Sequence, residues 1–162
     1  MKNNNQESNY NQEKPLIILC VDTSNLTNTI FRYACYEAKK LNFTLQILTI
    51  IESSHKNLIF GSKVIGNQKR QEIEKTLQNL NEQVFQETGI MPVISIREGD
   101  VLSEIIAEIR DNKNCAMLLL SKSCNTMSDN SLLPKLVNQI GNKINVPITI
   151  IPENFEEKLL LR

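Results

Sequence analysis

Few residues in this chain have the chemistry to act as nucleophile, base or soft metal ligand. There is one histidine, His55, and four cysteines, Cys20, Cys35, Cys115 and Cys124. His55 sits in a polar linker, and no Ser or Cys can be identified from the sequence as its nucleophile partner, so it reads as non-catalytic. The cysteines form no Cys-x-x-Cys pair and none stands at zinc-ligand spacing from His55, which counts against a metal site. Cys20 and Cys35 fall on apolar positions of a strand and a helix, where cysteine behaves as a small hydrophobe. Cys124 lies in a polar loop beside Lys122, a neighbour that lowers a thiol pKa and favours oxidation. A passive loop cysteine is the simpler reading. The remaining polar groups of interest are Asp22, Thr23 and Ser24, directly after a run of apolar residues. With Asn25 they supply possible caps for the helix that follows, and Asp22 reads equally well as part of a ligand crevice.

Those residues hang on an alternating framework. Leu16 to Val21 is a continuous apolar run, the pattern of a strand buried on both faces, as in a parallel sheet. Ile30, Ala34, Ala38 and Leu41 then recur at helical spacing, giving a helix to about Asn42. A second strand is predicted over Leu45 to Ile51, interrupted only by Gln46 and Thr49. Residues 52–67 are mixed, with Gly61 and Gly66 as breakers, before Ile73, Leu77, Leu80 and Val84 mark an amphipathic helix ending at Gly89. Pro92 to Ile96 is a short strand, and Gly99 and Asp100 turn the chain into a helix carrying Leu102, Ile105, Ile106 and Ile109. Ala116 to Leu120 is the fourth strand and Ser121 to Asn130 a polar loop. Leu133, Leu136, Val137, Ile140 and Ile144 predict a fourth helix. Pro147 opens the last strand, Ile148 to Ile151.

Five strands alternating with four helices call for an α/β fold, an open parallel sheet with helices on both faces and right-handed crossovers. A ligand crevice in such a sheet lies outside the carboxyl ends of the strands, where the winding reverses, so the segments after the first and fourth strands matter most. The 162 residues, 41% hydrophobic and 22% charged, suit one domain. Residues 1–13 are too polar to order and read as a tail, 14–152 as the domain, and 153–162 as a short C-terminal tail. Lys plus Arg equals Asp plus Glu at 18 each, so no overall charge draws the chain to nucleic acid or anionic lipid. No apolar run approaches the ~20 residues needed to cross a bilayer, and the start lacks an apolar segment to act as a signal. The expectation is a cytoplasmic protein with neither nucleic-acid nor membrane partners.

In order and spacing, several short motifs resemble the universal stress protein family. Val21, Asp22, Thr23 and Ser24 resemble its V-D-x-S signature, and Leu48, Thr49 and Ile50 the end of its second strand. Glu98, Gly99 and Asp100 resemble the E-G-D before its third helix, and Asn145, Val146, Pro147 with Ile148 to Ile151 its last strand. The resemblance implies a Rossmann-like fold of the adenine nucleotide alpha hydrolase type, strand order 3-2-1-4-5, and a homodimer through residues 147–152. An unpaired apolar last strand at a sheet edge gives a second reason to expect that pairing, since it would otherwise be an aggregation hazard.

Nucleotide-binding members carry G-x-x-G, nine further residues, then G-S or G-T, because backbone N–H groups must approach phosphate closely. The positions that correspond here are Ser121, Cys124, Pro134 and Lys135, so none of the three glycines is present. Proline removes a donor outright. Pro134 also has a bland reading, because with Ser131 as N-cap it falls at the third helical position, where a missing N–H costs nothing within the helix. The resemblance therefore implies a degenerate nucleotide motif and a non-catalytic stress-response regulator that works through unidentified protein partners, without catalytic or metal-binding residues and without ATP bound in the family's manner. An alternative is a module for AMP or another small adenine or anionic ligand. Its candidate crevice residues are Asp22, Thr23, Ile50, Gly99, Ser121, Lys122, Cys124 and Lys135, with the two lysines as point charges for an anion. A slow nucleotide hydrolase is the least favoured reading.

Overall fold

The computed structural model describes residues 13–23, 27–52, 62–122, 132–152, 154–156 and 158. At its centre is β1 (Leu16–Cys20), whose five residues are all buried. It pairs in parallel with β2 (Thr44–Glu52), Leu16 opposite Thr44 and Cys20 opposite Leu48. On its other side lies β4 (Cys115–Ser121), with Cys20 opposite Leu120. Outermost are β3 (Val93–Gly99) against β2 and β5 (Ile148–Ile151) against β4, both parallel. The order is β3-β2-β1-β4-β5, as the resemblance implies.

Alternation along the strands builds two cores. Ile17, Leu19 and Val21 face α1 (Asn28–Leu41) and α2 (Ser62–Thr88), meeting Phe31, Ala34, Leu77 and Val84. Leu16, Ile18 and Cys20 face α3 (Val101–Asp111) and α4 (Leu132–Val137), meeting Val101, Ile105 and Leu136. Each fully buried Ile or Leu here contributes about 1.5–3 kcal/mol of transfer free energy. Cys20 and Cys35 lie in these cores. Burial pushes the Cys35 thiol up to about 11, against a lowering contribution from the Thr88 hydroxyl. Among the described residues no helix is long and apolar enough to cross a membrane.

The structure departs from the sequence reading in four places, three of them at helices. Thr27, not Asp22 or its neighbours, stands at the N-cap of α1, and it makes no side-chain capping bond. The loop after β1 is thus long enough to leave Asp22 outside the helix. Gly66 lies inside α2 instead of breaking it, because a single glycine costs only about 1 kcal/mol relative to alanine, which a 27-residue helix absorbs. The last helix stops at Val137, well short of Ile144. There the Gln139 carbonyl accepts N–H bonds from Asn142, Lys143 and Ile144, and Gly141 takes φ +84°. Ile144 still reaches the core, but Val137 and Ile140 are 61% and 52% exposed; the apolar spacing was not one buried helical face. Finally, the residues after Pro152 read as a tail, yet Phe155 packs against the first core with its ring edge-on to Tyr33, 5.1 Å between centroids.

Candidate functional site

After β1 the chain turns to α1 on one face, and after β4 to α4 on the other. Because β1 and β4 are neighbours, their carboxyl ends bound the switch point of the sheet. Asp22 and Thr23 leave β1 there, both half-buried. Ser121 ends β4 with 1% exposure, and Lys122 follows it, exposed. Cys124 lies outside the described residues, as do Ser24 and His55.

The second strand outlasts the first. Val21 donates its N–H to the Leu48 carbonyl at 3.0 Å, and the Thr49 hydroxyl donates to the Val21 carbonyl at 3.3 Å. In a parallel ladder alternate residues turn their backbone groups to alternate neighbours. Ile50, two residues past Leu48, therefore turns its N–H and C=O to the same side, beyond the end of β1. Its own side chain is buried, 2% exposed, in the second core.

Gly99 closes β3 with φ +152°. A Cβ there would stand 2.8 Å from Glu104 Oε1 and 3.1 Å from Glu104 Cγ, so a side chain would have to push Glu104 from its place beside Arg97, and the backbone conformation itself favours glycine. Asp100 follows as the N-cap of α3, accepting from Ser103 Oγ at 2.8 Å and Ser103 N at 3.0 Å. These bonds, helped by the charge of Lys135, hold its carboxyl below the usual range. The cap takes up a donor at the start of α3 that an anion would otherwise use. Lys135, exposed in α4, thus has a carboxylate within electrostatic reach, and its neighbour Pro134 is exposed in the same short helix.

One cluster went unrecognised in the sequence. Arg97, on β3, donates from Nε to Glu104 at 2.6 Å, and from one terminal nitrogen to Glu108 at 2.7 Å and Asp111 at 3.4 Å. Glu108, whose side chain is 6% exposed, also accepts from the side-chain amides of Gln46 and Asn112. The two glutamates hold the Arg97 guanidinium firmly protonated. Each carboxylate in this cluster is ion-paired, all three to Arg97 and Asp111 also to Arg110 at 3.1 Å, so it offers no free acid or base. Its effect is to pin α3 against β2 and β3, which fixes where Asp100 and Gly99 stand. Two signals pointed to it: the polar Gln46 in a buried strand, and three acids at positions 104, 108 and 111, which share one helix face. Among the described residues no group of three or more His, Cys, Asp or Glu could hold a metal ion.

At the opposite end of the sheet, a depression of about 670 Å³ is lined by residues that include Lys14, Asn42, Lys113 and Asn114. Its polar groups bond one another, Lys14 Nζ to Asn42 Oδ1 and Asn114 Nδ2 to the Lys14 carbonyl.

Compared with known proteins, residues 16–152 match the model of the universal stress protein family. No curated protein matches significantly. Among solved structures, the universal stress protein UspA from Lactobacillus plantarum is similar at 14% identity and TM-score 0.65, covering 87% of this chain and 99% of that one. A universal stress protein family member from Burkholderia pseudomallei aligns at 14% identity and TM-score 0.62, covering 87% and 98%. The universal stress protein from Archaeoglobus fulgidus in complex with dAMP aligns at 13% and 0.53, covering 86% and 98%.

Proposed function

The chain belongs to the universal stress protein family, and from that premise we propose that it is a non-catalytic stress-response regulator, cytoplasmic, whose crevice does not take ATP in the family's manner. The observation that carries this reading is Pro134. It lies in α4, at the position that the sequence resemblance matches to a glycine of the nucleotide-binding pattern, and it has no N–H to offer a phosphate oxygen. Ser121 at the end of β4 keeps its amide but adds a side chain, and Lys135 shares its field with Asp100. A triphosphate would meet fewer donors, and a lysine that already has the Asp100 carboxylate within electrostatic reach. Output then passes through protein contacts, beginning with a second copy of the chain: the outer edge of β5 carries Ile150, 47% exposed, and a homodimer through residues 147–152 would cover it.

A second reading is favoured by the end of β2. The backbone groups of Ile50 face past β1 toward the Asp22 segment, where an adenine edge could pair with them, and the similar Archaeoglobus fulgidus structure is a complex with dAMP. In this reading the crevice takes a monophosphate such as AMP, with Lys122 beside the anion.

A thermal-shift series with ATP, ADP, AMP and cyclic AMP, with and without magnesium, separates the two, because a ligand that binds only the folded state raises its apparent stability. No shift with any of them supports the regulator without a nucleotide. A shift with AMP alone supports the second reading, and a magnesium-dependent shift with ATP refutes the first. Sedimentation showing only monomer at micromolar concentration would remove the dimer.

A further inference from the structure

The sheet has two edges, and they are not alike. In β3 the alternation that turns Leu48 toward β1 and sets Ile47 opposite Ile94 leaves Pro92, Ile94, Ile96 and Glu98 with their backbone groups facing outward. Two of those carbonyls are already taken by α2. Asn81 Nδ2 donates to the Pro92 carbonyl at 3.0 Å, and Arg70 Nη2 donates to the Ile96 carbonyl at 3.3 Å while its Nε pairs with Glu74. Between them lies a groove of about 220 Å³, lined by Arg70, Glu74, Gln78, Ile94 and Ile96. The same end of the strand exposes Met91 and Val93, 56% and 63%, the kind of apolar edge that invites another strand.

Asn81 is an odd residue to keep there for any other reason. It is 6% exposed, flanked on its helix by the buried Leu77, Leu80 and Val84, and its Oδ1 has no hydrogen-bond partner among the described residues. A leucine would fill the site without an unsatisfied oxygen; only the bond to Pro92 needs the amide. At β5, by contrast, no side chain among the described residues bonds to the outer backbone groups.

We infer that Arg70 and Asn81 are caps that close the β3 edge to strand addition and so confine self-association to β5. The partner that the fold admits is one further copy of this chain. Pairing β5 with β5 is a twofold contact and closes at two copies, whereas pairing β5 of one copy with β3 of the next is head-to-tail and grows without limit. This inference rests on the β5 dimer proposed above, and the test below separates the two.

The experiment is sedimentation velocity of the full chain across rising concentration, for wild type and for Arg70→Ala/Asn81→Leu, with circular dichroism to establish folding. Wild type shows nothing larger than a dimer. The folded double variant forms larger species, its weight-average mass rising roughly twofold or more above wild type at the highest concentration. A folded double variant that keeps the wild-type mass distribution overturns the caps. Should Asn81→Leu fail to fold, Arg70→Ala alone, a change at an exposed residue, is judged by the same criterion. Adding Ile150→Lys separates the two claims: it turns wild type into monomer if the β5 dimer is correct. If wild type is already monomeric while the double variant associates, the dimer fails and the caps stand.

Discussion

Replacing Arg97 by methionine keeps much of the side-chain volume and removes the cation around which three carboxylates gather. Glu108 would then stay buried, its side chain 6% exposed, with the neutral amides of Gln46 and Asn112 as its remaining donors and Glu104 and Asp111 on its own helix. Removing one partner of a buried ion pair costs about 3–5 kcal/mol, because the other charge is left uncompensated. The Asp111 contact, to a side chain 47% exposed, adds little. A loss of that size is a large share of the ~5–15 kcal/mol that holds a typical domain folded. For a chain of this length it lowers the melting temperature by about 6–20 °C. Urea denaturation is the assay: the midpoint falls while the m-value is unchanged. Arg97→Met/Glu108→Gln removes the stranded charge but keeps both amide bonds, and should recover about half the loss or more. If Arg97→Met lies within about 1 kcal/mol of wild type, below the cost of breaking such a pair, the network does not hold α3 in place as argued.

Further outcomes follow from single residues. Gly99→Ala should cost about 1–3 kcal/mol from its backbone conformation alone, with the steric part relieved in a Glu104→Ala background; equal losses in both backgrounds would mean that the close approach of Glu104 is immaterial. Asp100→Ala should cost about 1 kcal/mol as a lost helix cap. Because the folded carboxyl lies below its ordinary value of 3.8, that contribution is present above pH 3.8 and fades as pH falls through the lower folded value, which a pH series of wild type against variant reads directly. Cys35, with its thiol pushed up to about 11 and its side chain buried, should resist Ellman's reagent at neutral pH until urea unfolds the chain; rapid labelling in the folded state would contradict its burial.

The parts of this fold that could be read in the sequence are those set by periodicity. The apolar runs Leu16–Val21 and Leu45–Ile51 could only be interior strands, and with four amphipathic segments between five such runs the layered α/β architecture followed. Local pattern misled where a turn imitates it. Ile140 and Ile144 continue the spacing of Leu133 and Leu136, but Gly141 at positive φ and the three N–H bonds to Gln139 show a tight turn. Gly66 was read as a breaker because propensity ignores how long a helix surrounds it. The Arg97 cluster escaped because its partners lie 7, 11 and 14 residues downstream on the next helix, and Gln46 on a neighbouring strand. Only the fold brings them together. Of the crevice, topology alone gave the placement: Asp22, Ser121 and Lys122 stand where β1 and β4 end at the switch point. The crowding of Gly99 by Glu104 and the nearness of Asp100 to Lys135 depend on side-chain approach, which spacing alone does not reveal.

In the proposed reading the phosphate side of this crevice has lost its hold on a triphosphate. Titration calorimetry of the purified protein with magnesium-ATP, beside Ser121→Gly/Cys124→Gly/Pro134→Gly/Lys135→Ser, tests it most directly. Wild type should give no saturable heat and the glycine-restored variant a saturating isotherm. Saturable binding of magnesium-ATP by the wild-type protein would contradict it.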